Sequence, residues 1–117
     1  TAVGTLILAE RGLLTFDDSV DKYLPAFKDV KIIDAEGKTE TPKKLPTIRN
    51  ILSHTSGIVS NPDKLSYMSE TDKKTLDNSI AFYIKSGLDF EPNTMQYYSG
   101  SSAFDVLTKI IEIVTYL

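Results

Sequence analysis

The sequence contains no cysteine and only one histidine, His54, among its 117 residues. The absence of cysteine excludes disulfide bonds, thiolate catalysis and cysteine-based zinc sites, although it leaves the cellular compartment open. A single histidine has no second histidine or cysteine to complete a metal site, so we expect neither a metal nor any other cofactor. The glycine loop that cradles phosphate, the GxSxG elbow, the HExxH helix and the calcium-binding loop are also absent.

Positively charged residues are outnumbered, because the sequence has 13 lysines and arginines and 16 aspartates and glutamates. The net charge of −3 gives no electrostatic basis for binding nucleic acid or an anionic membrane. The apolar run Ala2 to Ala9 is too short to span a bilayer. No basic segment precedes this run, so it does not have the pattern of a signal peptide.

The spacing of apolar and capping residues predicts a mainly α protein with, at most, one small β-hairpin. The length and the hydrophobic fraction of 41% indicate a single domain with a small core, and no linker or repeat divides it. The predicted helices cover residues 1–11, 47–52 with Thr47 as the cap, 69–86 with Ser69 as the cap, and 102–116, the last with an apolar arc wider than half of its circumference. The predicted hairpin pairs residues 30–33 with 38–41, and irregular segments cover 13–25, 54–70 and 90–99.

The first predicted helix, residues 1–11, is apolar on nearly every side. Thr5 is one of its few polar residues, and Gly12 supplies a C-terminal stop. A helix of this kind is expected to be surrounded by protein. No capping residue precedes Thr1, which predicts that the chain opens partway along a longer helix and is a fragment of a larger protein.

Three segments carry most of the polar motifs. Leu14–Pro25 reads LTFDDSVDKYLP, Ile51–Gly57 reads ILSHTSG, and Glu91–Gly100 reads EPNTMQYYSG and leads directly into the last helix. In this order the segments resemble the serine β-lactamase and penicillin-binding-protein family, which includes class C β-lactamases, D-alanyl-D-alanine carboxypeptidases and related esterases. The resemblance covers nearly the whole chain.

The resemblance implies the helical subdomain of the β-lactamase/transpeptidase-like fold, without the main sheet. It also implies that Tyr98 is the catalytic phenol that handles protons and that Ser99 and Gly100 bind substrate as one wall of the acyl site. A free tyrosine titrates near about 10, so the family places lysine ammonium groups beside this phenol. The family's nucleophilic serine precedes the position that matches Thr1. The chain alone is therefore expected to lack the nucleophile and to be inactive.

Two positions in the Tyr98 segment depart from the family pattern. Asn93 stands where the family usually has glycine, and both residue types tolerate a positive φ, so the turn remains feasible. Gly100 stands where the family usually has an asparagine that binds the substrate amide and the active-site lysine. This change argues against β-lactam hydrolysis and favours an esterase-like or peptidase-like role, or an inactive homologue.

Other residues imitate catalytic motifs. Ser19 and Lys22 form a literal Ser-x-x-Lys, but their segment resembles a structural part of the family, so we interpret the match as chance. Asp17 and Asp18 could form the carboxylate pair of a glycosidase, yet adjacent carboxylates at a helix start favour a capping role. His54 invites a Ser-His dyad, whereas the resemblance makes it a loop element.

Two hypotheses follow from these observations. The first is a fragment of a Ser-dependent acyl hydrolase of the β-lactamase, carboxypeptidase or esterase type, which acts through an acyl-enzyme on a small acyl substrate. The resemblance favours an extracytoplasmic location, periplasmic or secreted, for such a protein. The alternative is a non-catalytic helical interaction module. Either hypothesis leaves apolar helix faces exposed, which predicts self-association.

Overall fold

The computed structural model describes residues 2–34, 36–98 and 102–115, and this part of the chain is mainly α as predicted. Its α-helices are α1 (Ala2–Glu10), α2 (Ile48–Leu52), α3 (Pro62–Leu65), α4 (Glu70–Lys74), α5 (Leu76–Ser86) and α6 (Ser102–Thr115). Two 3-10 helices, Val20–Lys22 and Pro25–Asp29, precede the strands β1 (Ile32–Ile33) and β2 (Thr39–Glu40). The two strands are antiparallel, and theirs is the one sheet within the described ranges.

The start of α2 follows the sequence prediction closely. The Thr47 hydroxyl accepts a hydrogen bond from the Asn50 backbone N–H at 3.2 Å, and the Asn50 side-chain oxygen accepts one from the Thr47 N–H at 2.9 Å. This reciprocal capping box satisfies two donors that the first turn would otherwise leave unpaired. It also orients Ile48 and Ile51 into the core, where both are fully buried.

The helix predicted over residues 69–86 is divided in two at Thr75. Ser69 caps α4 as predicted, but Thr75 has an extended backbone and its hydroxyl accepts from the Asn78 N–H at 3.1 Å to cap α5. Asn78 also donates its side-chain amide to the Thr71 carbonyl oxygen at 3.0 Å. The side-chain hydroxyl of Thr75 competes with the helical backbone for a hydrogen bond, and this competition was not visible in the apolar periodicity.

The short helix α3 lies inside residues 54–70, which the sequence predicted to be irregular. Asn61 accepts a hydrogen bond from the Asp63 N–H at 2.9 Å, and Pro62 occupies the first helical position. Proline is favoured there because its fixed φ suits the helix and its missing N–H would have no partner. The Asn-Pro pair was therefore the signal for a helix start that the sequence interpretation missed.

Helix α6 contacts both α2 and α5. Its predicted wide apolar arc is confirmed, since one side is buried and the opposite side carries polar residues. Two polar groups on its rim bind α5: the Asp105 carboxylate accepts from the Tyr83 hydroxyl at 2.8 Å, and Lys109 pairs with Asp77 at 2.9 Å. The buried apolar residues of α6 are Ala103, Val106, Leu107, Ile110 and Val114.

Helix α1 differs from the expectation that protein surrounds it. Val3, Leu6 and Ile7 are exposed, whereas Thr5, one of its few polar residues, is fully buried. A Cβ added at Gly4 would lie 3.9 Å from the Ile111 side chain, so this side of α1 faces α6. Because α1 is apolar all round, packing one side leaves the other side in solvent. No helix in the described ranges is both long and apolar enough to cross a membrane.

Candidate active site

The segment that carries Tyr98 lies along the segment that contains His54. The two segments are about 40 residues apart in sequence, and neither forms regular secondary structure where they meet. Four hydrogen bonds hold residues 89–98 against residues 53–57, and three of them join backbone groups. The donors and acceptors are Asp89 N to Gly57 O at 2.7 Å, Asn93 N to Thr55 O at 2.8 Å, Tyr97 N to His54 O at 3.0 Å, and Gln96 Nε2 to Ser53 O at 3.1 Å.

Residues 53–57 are here called the HTSG platform, and the ring of His54 in this platform lies beside the Tyr98 ring. Its backbone has a φ of 59°, a left-handed conformation that non-glycine residues seldom adopt. Its ring lies 5.0 Å from the Tyr98 ring, centroid to centroid, and 5.6 Å edge-on from the Phe104 ring of α6. The sequence interpretation made His54 a loop element, and the structure adds that this loop element contacts Tyr98 directly.

Gly57 allows the two segments to approach each other. Its φ is 78°, and a Cβ added there would lie 2.4 Å from the Phe90 carbonyl oxygen. A contact that short is not tolerated, so any larger residue would push the segments apart. The absence of a side chain at Gly57 therefore lets the Tyr98 segment lie against the HTSG motif.

The turn before Tyr98 forms as the sequence predicted. Asn93 has a φ of 68°, which is the positive value required at the position where the family usually has glycine. The preceding Glu91 carboxylate accepts the backbone N–H groups of Lys43 at 2.7 Å and Lys44 at 3.3 Å. Pro92, which lies between Glu91 and Asn93, is buried. These contacts hold the start of the Tyr98 segment in place, and the platform holds its end.

Tyr98 itself is 73% exposed, so its phenol is open to a substrate from solvent. One face of its ring is supported by His54, and the backbone of the preceding residue is held by the same histidine. Ser99 and Gly100, the predicted substrate-binding residues, lie outside the described residues. The structure thus places the predicted phenol at the surface and on a fixed support.

Ser19 and Lys22, which spell a Ser-x-x-Lys, have separate structural partners. The Ser19 hydroxyl donates to the Asp21 carboxylate, and the Lys22 ammonium pairs with Asp18 at 3.5 Å. Ser19 also forms an isolated β-bridge with Thr47. These contacts tie the segment to the start of α2 and support its interpretation as structural.

Asp17 and Asp18 do not cap a helix, which corrects the sequence prediction. Asp18 instead accepts the backbone N–H of Thr15 at 2.9 Å, its hydroxyl at 2.7 Å, and the hydroxyl of Tyr23. Burial alone would raise the pKa of Asp18, but these hydrogen bonds outweigh it and lower the pKa to about 2. Asp17 pairs with Arg49 at 2.9 Å. Asp18 closes its own turn, so its carboxylate is not available to cap a helix.

Histidine and acidic side chains do not cluster in a way that could hold a metal ion anywhere in the part of the chain that the structure describes. Among the described residues, the His54 ring lies beside the Tyr98 ring, and the His54 carbonyl oxygen accepts the Tyr97 backbone N–H. Such a site can orient a phenol and expose it to a substrate.

The family that the motifs indicated is borne out by comparison with known proteins. The chain matches the family described as Beta-lactamase over residues 1–116. The chain belongs to this family. The match includes all three polar segments, and so it covers both the HTSG platform and the Tyr98 segment that lies on it.

Two named relatives of the chain are bacterial proteins. It is 32% identical to penicillin-binding protein 4* of Bacillus subtilis (strain 168) and 31% identical to a teichoic acid D-alanine hydrolase of Staphylococcus aureus. These alignments cover 96% and 92% of the chain but only 22% of each relative. The chain thus spans about a fifth of the length of the relatives that it matches.

Solved structures show the same arrangement of elements. The chain superposes on EstCE1, a hydrolase with promiscuous acyltransferase activity, with a TM-score of 0.68 and 29% identity, over 93% of the chain and 29% of EstCE1. It also superposes on an octameric penicillin-binding protein homologue from Pyrococcus abyssi with a TM-score of 0.65 and 24% identity. That second match covers 99% of the chain and 25% of the homologue, and shows the fold.

Proposed function

We propose that these 117 residues are the helical part of a Ser-dependent acyl hydrolase that acts through an acyl-enzyme. The observation that carries the proposal is the exposed Tyr98 phenol, held on the HTSG platform by His54. An exposed tyrosine with this much backbone support is poorly explained by packing, because its ring buries little surface. The whole chain forms one partial domain in this view.

In the proposed reaction, Tyr98 transfers protons for a serine that lies outside these residues. The serine hydroxyl must lose a proton to attack the acyl carbon, and a water must later lose one to release the acyl group. Tyr98, as the phenolate, accepts the serine proton and passes it to the leaving group, and in the second step it accepts the water proton and returns it to the serine oxygen. The segment at Ser99 and Gly100 forms one wall of the acyl site. A lysine ammonium beside the phenol is required for this, because it stabilises the phenolate.

Gly100 directs the substrate class away from β-lactams. Glycine has no side-chain amide, so it cannot supply the hydrogen bond that the family's asparagine gives to a substrate amide. Two of the similar proteins are named as hydrolases, a teichoic acid D-alanine hydrolase and EstCE1. We therefore propose a small ester as the substrate.

The test uses two proteins. The 117-residue chain should turn over neither a chromogenic cephalosporin nor a p-nitrophenyl ester, and a fluorophosphonate should leave it unlabelled. A longer protein that contains these residues behind a Ser-x-x-Lys motif should be labelled once per molecule. Stoichiometric labelling of the 117-residue chain would show that the nucleophile lies within it and would contradict the proposal.

The role of Tyr98 is tested in the longer protein. Tyr98→Phe should lower kcat/KM for the p-nitrophenyl ester by about 10² to 10⁴, the usual contribution of a proton-transfer group. Tyr67→Phe is the matched control, because Tyr67 is 83% exposed and lies at the end of α3. Equal losses in the two variants would remove Tyr98 from the mechanism.

A helical interaction module is the second candidate, and the exposed side of α1 favours it. Val3 is 70% exposed and Leu6 is 50% exposed, which is unusual for large apolar residues on one helix. The open reading frame distinguishes the candidates at once. A Ser-x-x-Lys codon pattern just upstream of Thr1 supports the hydrolase, whereas an unrelated domain there supports the module.

A further inference from the structure

A groove of about 670 Å³ is lined by residues of the β1–β2 turn, of α3 and of α5. Helix α5 contributes Ala81, Phe82 and Lys85. These share one side of the helix, because Lys85 is three residues from Phe82 and four from Ala81. Another wall includes Tyr67, which follows α3. We call this feature the Tyr67–Phe82 groove.

The hairpin wall of the groove is held in place by the residues that follow α5. The Ile33 N–H donates to the Leu88 carbonyl oxygen at 3.0 Å, and the Leu88 N–H donates to the Lys31 carbonyl oxygen at 2.8 Å. Inside the turn, the Asp34 carboxylate accepts the Lys38 N–H at 2.9 Å. The wall is therefore formed before any ligand arrives, which lowers the ordering cost of binding.

The aromatic walls of the groove favour an apolar body. Tyr67 is 83% exposed and Phe82 is half-buried, so both rings have surface that a ligand could cover. The faces of such rings also attract cations. The volume of the groove falls within the range of about 300–1,000 Å³ that is common for small-molecule sites.

The charges that line the groove do not balance. Lys64 adds little to them, because its ammonium pairs at 2.8 Å with Asp89, which is not a lining residue. The other charged lining groups are three carboxylates and one ammonium, those of Asp34, Asp63, Asp72 and Lys85. Three carboxylates and one ammonium leave an excess of two negative charges, which attracts a cation.

Asp63 provides the carboxylate that is free to bind. It makes no side-chain hydrogen bond or ion pair with any residue in the described ranges. The Asp72 carboxylate instead accepts the Ser69 N–H at 2.9 Å, which lowers the pKa of Asp72 and keeps it charged at neutral pH. Acidic side chains of the described residues do not cluster as metal ligands, so the excess charge suits an organic cation.

We propose that the Tyr67–Phe82 groove binds a small organic cation, an ammonium group carried on an aromatic or alkyl body. The ammonium group lies toward the Asp63 carboxylate, and the body covers the two aromatic rings. The proposal goes beyond the acyl-hydrolase function and does not depend on it, because neither Tyr98 nor its platform lines this groove.

A fluorescence titration tests the choice of a cation. The chain contains no tryptophan, so the indole emission of a probe reports binding directly. Tryptamine is a cation, indole-3-propionamide is neutral and indole-3-propionate is an anion. At low ionic strength tryptamine should bind at least about threefold more tightly than the amide, and the amide more tightly than the anion. Equal binding of the three probes, or no binding of tryptamine at millimolar concentration, would overturn the proposal.

Charge variants test whether the lining groups are responsible. Asp63→Asn should weaken tryptamine binding about threefold, whereas Lys85→Gln should strengthen it about twofold because it removes a repelling ammonium. Asp29→Asn is the matched control, since Asp29 is also exposed but does not line the groove. All three positions are on the surface, so the variants are expected to fold. Equal effects of Asp63→Asn and Asp29→Asn would mean that only net charge matters, which would contradict the proposed site.

Nuclear magnetic resonance of the ¹⁵N-labelled chain locates the bound probe. Tryptamine should shift the amide signals of Gly37, Tyr67 and Phe82. Tyr67→Ala should weaken its binding about threefold to tenfold, and Tyr67→Phe, which keeps the ring, should not. The competing location is a smaller groove of about 350 Å³ that Met95 and Tyr97 line. Shifts centred on Met95 and Tyr97, or binding that Tyr67→Ala leaves unchanged, would refute the assignment.

Discussion

At the scale of single residues, Gly57 determines whether the candidate site can form. It combines a positive φ with a carbonyl oxygen, that of Phe90, in the place of its missing Cβ. Gly57→Ala should lower the free energy of unfolding by about 2–4 kcal/mol, from the left-handed backbone and the clash together. Thermal or urea unfolding followed by circular dichroism measures this change.

Gly37→Ala is the matched control for that substitution. Gly37 has a similar φ of 84°, but a Cβ there would meet no atom within 4 Å. It should cost only about 1–2 kcal/mol, the backbone contribution alone. If the two variants lost the same stability, the close approach to Phe90 would not matter.

Asp18 gives the protein an acid-sensitive turn. Its pKa is about 2 in the folded chain, below the ordinary value of 3.8, so its contribution to stability is complete above about pH 4 and is lost as the pH falls toward 2. Asp18→Asn should lower stability at pH 7 by about 1–2 kcal/mol, through weaker hydrogen bonds to Thr15 and Tyr23. It should also flatten the dependence of stability on pH between 4 and 2.

The neighbouring carboxylate tests whether this effect is specific. The Asp17 side chain is 79% exposed in its pair with Arg49. Asp17→Asn should therefore change stability by less than about 1 kcal/mol. If both substitutions flattened the dependence of stability on pH between 4 and 2 equally, the effect would not be specific to Asp18.

At the scale of secondary structure elements, the break between α4 and α5 depends on the Thr75 hydroxyl. Thr75→Ala removes the acceptor for the Asn78 N–H and should cost about 1 kcal/mol of stability. Thr75→Ser keeps the hydroxyl and should recover most of that loss. An alanine variant as stable as the parent would mean that the two helices can merge without penalty, as the sequence pattern first suggested.

At the scale of the whole molecule, the exposed side of α1 predicts self-association of the 117-residue chain. Val3, Leu6 and Ile7 are neighbours on one side of the helix and expose their apolar side chains to water. Such a surface favours association. Sedimentation velocity should show oligomers that grow with concentration, and the double variant Val3→Lys with Leu6→Lys should be monomeric. Tyr67→Lys, at an exposed position outside α1, should leave the oligomers in place.

A monomer at high concentration in the unmodified chain would contradict this prediction. It would also remove the observation that favours the interaction module, because an apolar side that attracts no second copy is weak support for a partner surface. The acyl-hydrolase proposal would be unaffected, since it depends on Tyr98 and its platform.

The sequence by itself determined the features that depend on neighbouring residues. The cap of α2 at Thr47, the positive φ of Asn93 and the buried arc of α6 were all readable because each depends on residues within a few positions. The order of the three polar segments also indicated the family. Local rules misled where two of them competed, as at Thr75 and at Asp18.

Only the tertiary structure decided which distant segments meet. It brought the Tyr98 segment onto the HTSG platform, placed the His54 ring beside the phenol, and turned Tyr97 toward a groove. It also buried Thr5 while it left Leu6 exposed. Contacts between residues about 40 positions apart are set by how the helices pack around α6, and no periodicity within either segment carries that information.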